Sequence, residues 1–178
     1  MTDDIIVYTD GSCINNGGAL DQRRAGIGIY FPGNNDFNCS EFLVCPPLTN
    51  IRAEMYAIVK CLLIIMNNRE YFEKYYTKNI LIKTDSQFTI DLVTKWLAGW
   101  KKNGYQTSKK KPIKNRDLVV MLDNTIEQAK YQGYQVNFQH VRAHRTEPKL
   151  PHTSPQWIDW FCNHRADQLA VRGSKSTE

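Results

Sequence analysis

Two apolar runs in this chain end in the same way. Ile5-Ile6-Val7-Tyr8-Thr9-Asp10-Gly11-Ser12 closes on a carboxylate and a glycine, and Ile80-Leu81-Ile82-Lys83-Thr84-Asp85-Ser86 repeats the pattern with a serine. The first run is rich in β-branched side chains and reads as a strand covered on both faces, which belongs in the middle of a sheet. The chain is expected to turn at Gly11, leaving Asp10 where a buried element meets solvent and where a carboxylate keeps its charge if a cation is supplied. Asp-Gly and Asp-Ser at a strand end are also ordinary turn and helix-cap chemistry, and Asp85 precedes a helix-like segment that it is placed to cap. The repetition favours function, because independent strands have no structural need to end in the same carboxylate.

The length allows one domain with a core of ordinary size. Its five cysteines, Cys13, Cys39, Cys45, Cys61 and Cys162, are odd in number and include no Cys-x-x-Cys pair. That argues against a disulfide framework or zinc ribbon and for a reducing intracellular compartment, cytoplasm or nucleus. Met1-Thr2-Asp3-Asp4 is acidic where a secretory signal is basic, and no apolar run approaches a membrane-spanning length. A soluble protein without a membrane partner, acting as a monomer, is expected.

Charge is concentrated in one place. Between Lys95 and Arg116 lie eight basic residues and no acidic one, although the net charge of the whole chain is only +5. A bare lysine run is usually a solvated face, but Trp96, Trp100 and Tyr105 are interleaved with Lys101, Lys102, Lys109, Lys110 and Lys111. Cations for phosphates beside flat surfaces for bases or sugars favour a nucleic-acid partner.

In order, the chain reads as strands at 5–10, 25–31 and near 39–45, then a helix capped by Thr49 or Asn50 that carries Glu54 in its first turn. The strand at 80–85 follows, then a helix through Ile90, Leu92, Val93, Trp96 and Leu97, and a third helix capped at Asn115 or Asp117 and stopped at Gly133. A strand over 136–141, a proline-rich loop and a helix from Trp157 or Ile158 to Val171 complete it. The order β-β-β-α-β-α-α-β-α implies an α/β fold, a five-stranded mixed sheet flanked by helices. One domain is expected over 1–173, with the basic segment, about 95–116, as a protrusion and 174–178 as a polar tail.

These motifs together resemble the type 1 ribonuclease H family, and the resemblance covers nearly the whole chain. Asp10 in Tyr-Thr-Asp-Gly-Ser, Glu54 in Thr-Asn-Ile-Arg-Ala-Glu, Asp85 in Thr-Asp-Ser-Gln-Phe and Asp167 in Asn-His-Arg-Ala-Asp-Gln-Leu-Ala look like the four catalytic, metal-binding carboxylates. His144 in Val-Arg-Ala-His looks like the mobile histidine near them, and a role in proton shuttling or product release follows. The resemblance also implies that Ser12, Cys13, Asn16, Asn50 and Gln87 touch the RNA strand of an RNA/DNA hybrid. It assigns Phe88, Trp96 and Trp100 to a DNA-strand channel, Thr49 and Asn115 to a DNA-phosphate pocket, and the lysines of the protrusion to the same strand. Departures from the family are Ala143 before the histidine, Ile51 beside Asn50, Pro47 in the phosphate-pocket region, His164 in place of an acid, and a longer interval from His144 to Asp167.

Four carboxylates gathered from two strands and two helices repel one another unless divalent cations neutralise them. All-oxygen ligands select hard ions such as Mg²⁺ or Mn²⁺. Two such ions about 3.5 to 4 Å apart activate water on one side of a phosphodiester and stabilise the leaving oxygen on the other. The resemblance implies hydrolysis of the RNA strand to 5′-phosphate and 3′-hydroxyl ends. Two rival functions are a DNA-directed nuclease of the integrase or junction-resolvase kind, which has no need of the basic protrusion, and a non-catalytic hybrid-binding module, which tolerates loss of a carboxylate. All four are present here.

Overall fold

The computed structural model describes residues 3–143 and 146–176. Strands β1 (Asp3–Ile14), β2 (Arg24–Tyr30), β3 (Cys39–Phe42), β4 (Tyr76–Thr84) and β5 (Gln135–His140) form a five-stranded sheet in the order β3-β2-β1-β4-β5. The first three strands are antiparallel, whereas β1-β4 and β4-β5 are parallel, so the sheet is mixed and β1 lies at its centre. The helices are α1 (Asn50–Asn67), the short α2 (Arg69–Tyr75), α3 (Gln87–Asp91), α4 (Leu97–Lys102), α5 (Arg116–Tyr131) and α6 (Pro155–Lys175). A π-helical stretch, Leu92–Trp96, joins α3 to α4 in one continuous element.

The first strand departs from expectation in two ways. It does not turn at Gly11 but stays paired with β2 to Ile14, and Ile6 is 40% exposed rather than covered. Gly11 is needed for another reason: a Cβ there would lie 2.3 Å from the Glu54 amide nitrogen, where α1 crosses the strand. Gly28, paired with Asp10, answers to α6 in the same way, since its Cβ would fall 2.0 Å from the Ala166 carbonyl oxygen. Because successive residues of a strand face opposite sides, Gly11 and Asp10 put α1 and α6 on opposite faces of the sheet. Small residues on α6, Ala166, Ala170, Gly173 and Ser174, make its close approach possible.

The larger core lies on the α1 face. Ile5, Val7, Ile27 and Ile29 of the sheet pack there with Met55, Ile58, Leu62 and Ile65 of α1 and with Leu118 and Leu122 of α5. A smaller cluster of Tyr8, Val141, Cys162 and Ala166 fills the α6 side. Among the described residues no helix is long and apolar enough to cross a membrane, and all five cysteines are free.

Helix ends follow side-chain chemistry. Thr49 caps α1, its hydroxyl accepting from the Arg52 amide at 3.3 Å, and Ser154 caps α6 ahead of Pro155. Gly133, at φ +89°, takes the left-handed turn after α5. The last helix outruns expectation: it reaches Lys175, with Ser174 fully buried and its carbonyl accepting from Arg24 Nε at 3.1 Å, so the polar tail does not begin at 174.

Candidate active site and nucleic-acid interface

The parallel register of β1 and β4 pairs Tyr8 with Lys83, and continuing it two residues sets Asp10 level with Asp85, just past the end of β4. Strands in register lie about 4.8 Å apart, so the two carboxylates arise side by side. The close approach of α1 at Gly11 delivers Glu54, and that of α6 at Gly28 delivers Asp167, one residue after Ala166. Asp85 does not cap the helix that follows. Ser86 does, its hydroxyl accepting from the Thr89 amide at 3.3 Å, which leaves the Asp85 carboxylate to the site.

Each of the first three acids is held by the protein. Asp10 accepts from the Gly11 amide at 2.8 Å. Glu54 accepts from Asn50 Nδ2 at 2.8 Å through one oxygen and from the Ser86 hydroxyl through the other. Asp85 accepts from Asn163 Nδ2 at 3.4 Å, and its backbone carbonyl lies 3.2 Å from His140 Nε2. Asp167 is exposed.

Electrostatics tie these groups into one site. Burial pushes the Asp10 carboxyl well above its ordinary range, and the charges of Asp85, Asp167 and Glu54 add to the shift. Glu54 is raised by burial and by Asp85 against the hydrogen bonds of Ser86 and Asn50, and Asp85 is raised by burial and by Asp167 against Asn163. Among the described residues no ion pair reaches any of the four acids. Nor do three or more His, Cys, Asp or Glu side chains among them close around a metal position, since Glu54 and Asp85 are turned toward protein donors. The donor set nevertheless fits a hard divalent cation: it is all carboxylate oxygen, mutually repelling and, among the described residues, without an ion-pair partner.

Beside this site runs a groove of about 500 Å³ floored by Met55 and Leu92 and walled by Phe88, Trp96, Trp100 and Asn115. Phe88 and Trp96 meet edge to face at 5.5 Å, and Trp96 and Trp100 at 5.7 Å, so the three proposed channel residues form one aromatic wall. The π-helical stretch carries Trp96 between Phe88 and Trp100. Asn115 of the groove and Thr49 stand at the starts of α5 and α1, which the buried Arg52 joins. Arg52 donates to Asp117 Oδ1 at 2.8 Å, to Asn115 Oδ1 at 3.5 Å and to the carbonyls of Cys45 and Pro46 at 3.3 and 3.2 Å.

The basic segment past α4 is folded back on itself by backbone hydrogen bonds. Buried Ile113 anchors it, Ile113 donating to the Tyr105 carbonyl at 3.1 Å, and the Thr107 amide bonds the Lys111 carbonyl at 2.7 Å, which leaves Lys109, Lys110 and Lys111 exposed on the turn. Lys101 differs from the others, since it pairs with Asp123 at 3.3 Å and Glu127 at 3.5 Å.

Of the residues expected on the RNA strand, Asn16 and Asn50 are joined, the Asn16 side-chain Oδ1 accepting from the Asn50 backbone N–H at 3.1 Å. Ser12 and Cys13 lie on the part of β1 beyond Asp10. Gln87 instead turns back on its own helix, donating to Asp91 at 2.9 Å. His144 lies outside the described residues. Sequence reasoning passed over Asn163, Ser86 and Arg52. No local pattern distinguishes Asn163 within its helix, and Ser86 carries only the signal of a small residue after Asp85.

Comparison with known proteins identifies the family and the fold. The family model described as RNase H matches residues 2–175. Human ribonuclease H1 is 34% identical over 181 residues, all of this chain and 52% of that protein, so the chain spans about half the length of this relative. Ribonuclease H of Pseudomonas paraeruginosa is 33% identical over 97% of this chain and 96% of its own length. Among solved structures, LC9-RNase H1, a type 1 RNase H with the type 2 active-site motif, superposes with a TM-score of 0.66 at 21% identity, over 98% of this chain and 73% of its own. A foamy viral protease-reverse transcriptase in complex with RNA/DNA hybrid superposes at 0.67 and 22% identity, over 99% of this chain and 20% of its own, which speaks to the fold alone. The chain belongs to the type 1 ribonuclease H family of endonucleases.

Proposed function

We propose that this chain is a metal-dependent endoribonuclease that hydrolyses the RNA strand of RNA/DNA hybrids, leaving 5′-phosphate and 3′-hydroxyl ends. The observation that carries the reading is the convergence of Asp10, Glu54, Asp85 and Asp167, brought together by the β1–β4 register and the close approaches of α1 and α6 beside an aromatic groove. Mg²⁺ ions held by these four residues, with Mn²⁺ as a substitute, would neutralise the carboxylates and supply the activated water and the leaving-group stabilisation. The chain's own part is to bind and orient. Asn16, Asn50, Gln87, Ser12 and Cys13 face 2′-hydroxyls of the RNA strand, and Gln87 does so by exchanging its bond to Asp91 for one to substrate. Phe88, Trp96 and Trp100 pack against deoxyribose, where a 2′-hydroxyl would clash, so selectivity is a test of both strands at once. Thr49 and Asn115 seat a DNA phosphate. His144 moves a proton or assists product release.

Matched RNA/DNA, RNA/RNA and DNA/DNA duplexes, each incubated with Mg²⁺ and with EDTA, test the reading. Cleavage of the RNA in the hybrid alone, abolished by EDTA, is expected. Cutting of DNA/DNA would return the chain to the DNA-directed nucleases, and binding without cleavage would make it a hybrid-binding module.

The lysine turn supports a second expected result. Each phosphate neutralised contributes about −0.9 to the log-log salt dependence of affinity on B-form DNA, so replacing Lys109, Lys110 and Lys111 by alanine should flatten the slope by up to about 2.7. KM should rise while kcat at saturation stays near wild type. Lys101→Ala should change the slope little, because its charge is already met by Asp123 and Glu127. An unchanged slope in the triple variant would make the turn a solvated face.

A further inference from the structure

Strand β4 stops one residue short of Asp85. The β4–β5 ladder runs to Thr84 paired with His140, and the Val141 amide donates to the Thr84 carbonyl at 3.0 Å. At Asp85 a side chain takes over from the ladder: His140 Nε2 lies 3.2 Å from the Asp85 carbonyl oxygen. A carbonyl only accepts, so Nε2 carries the proton and donates. The same oxygen accepts from the Gln87 amide at 3.1 Å, which engages both of its lone pairs.

Two bonds to one carbonyl fix the plane of the peptide between Asp85 and Ser86, and the site is built around that peptide. On one side of it stands the Asp85 carboxylate, accepting from Asn163 Nδ2 at 3.4 Å. On the other stands Ser86, whose amide donates to Thr84 Oγ1 at 3.2 Å and whose hydroxyl donates to Glu54. Rotation of this one peptide would therefore move the Asp85 carboxylate and the hydroxyl that holds Glu54 together. Core packing does not explain His140. It is exposed, whereas Val136 and Phe138, on the same face of β5, pack against the larger core. Asn163 reaches Asp85 from α6 on the opposite face, so Asp85 is gripped from both sides of the sheet.

We infer that His140 is a positioning residue for the carboxylate site: by holding the Asp85 carbonyl, its Nε2–H sets the direction of Asp85 and, through Ser86, that of Glu54. This rests on the metal-dependent, hybrid-cleaving function proposed above, because the residues it directs are the proposed metal ligands.

The test compares the full chain with His140→Phe, which keeps a ring but no donor, and with His140→Gln, whose Nε2 donates at a similar reach. Mn²⁺ alone, titrated without substrate and followed by electron paramagnetic resonance, should bind His140→Phe about tenfold more weakly. Hybrid cleavage in Mg²⁺ should lose about tenfold in kcat with KM near wild type, as expected of a residue that orients a ligand rather than binds substrate. His140→Gln should recover most of both losses. The Ser86 and Gln87 backbone amide resonances should shift in His140→Phe and return in His140→Gln, while Tm falls by only about 2–4 °C, the worth of one hydrogen bond. Unchanged Mn²⁺ affinity and kcat in His140→Phe, or equal losses in the two variants, would overturn the inference. So would a rise in KM alone, which would put His140 on the substrate, and failure of His140→Phe to fold, which would make it a contact of the fold. A wild-type chain that binds Mn²⁺ but leaves the hybrid uncut would refute the proposed activity, and the Mn²⁺ titration would still decide the role of His140.

Discussion

Asp10→Asn is expected to abolish hydrolysis and, in the metal-free protein, to raise the melting temperature. The substitution keeps the shape and leaves an oxygen to accept from the Gly11 amide, as Asp10 does at 2.8 Å, but removes the charge. Loss of a charge on which metal binding depends should lower turnover by about 10³-fold or more. Stability moves the other way because Asp10 is 8% exposed, faces three other acids and has no ion-pair partner among the described residues. Its folded-state pKa lies above the ordinary carboxylate value of about 3.9, so the folded protein binds the proton more tightly than the unfolded chain. The penalty is therefore absent below about pH 4, grows as pH rises, and is complete above the folded pKa. At neutral pH its removal should stabilise by on the order of 2 kcal/mol, or about 4–8 °C for a domain of this size. Melting of both proteins in EDTA at pH 3.5 and pH 7.5 should show the difference at the higher pH only. A variant that melts below wild type at pH 7.5, or that retains substantial turnover in Mg²⁺, contradicts the assignment.

The same residues show how far the chain could be read without coordinates. Asp10 and Asp85 were legible because strand periodicity and a repeated ending are local properties, and Glu54 because the apolar face of α1 marks its helix. Whether Asp85 capped the next helix was a matter of one hydroxyl, and Ser86 takes that place. Gly11 was misread because a glycine suggests a turn in sequence, whereas its actual cause is the backbone of Glu54 lying where a side chain would be. Asn163 shows the same limit. Nothing local marks it, yet α6 brings it across 78 residues to Asp85, with its side-chain Oδ1 buried and unpartnered among the described residues. Glycines that serve helix approach and polar residues that serve distant carboxylates follow from packing, which the local pattern does not contain.

Arg52→Ala should produce the largest loss of stability among single changes at the polar positions discussed. A charged residue within a helix reads as solvent-facing, but Arg52 is 1% exposed and its partner Asp117 lies 65 residues away. Truncation leaves the carbonyls of Cys45 and Pro46 without their donor and opens a cavity, while Asp117, whose side chain is 58% exposed, recovers water. The cost should be on the order of 3 kcal/mol, about 6–12 °C in Tm. Arg52→Lys keeps the stem but not the fork, so it should recover only part of the loss. The pH dependence has a definite sign: Arg52 holds the Asp117 carboxyl below its ordinary value, so this stabilisation is present above about pH 4 and is lost as pH falls through the folded pKa. The gap in Tm between wild type and Arg52→Ala should therefore narrow in acid. Since Arg52 joins the starts of α1 and α5, where Thr49 and Asn115 stand, hybrid affinity should fall even well below the melting transition, and the salt slope should flatten by about 0.9 if one phosphate contact goes. Equal melting of the two proteins at neutral pH would refute the structural role. Normal melting with weakened, less salt-sensitive binding would instead place Arg52 directly on the phosphate.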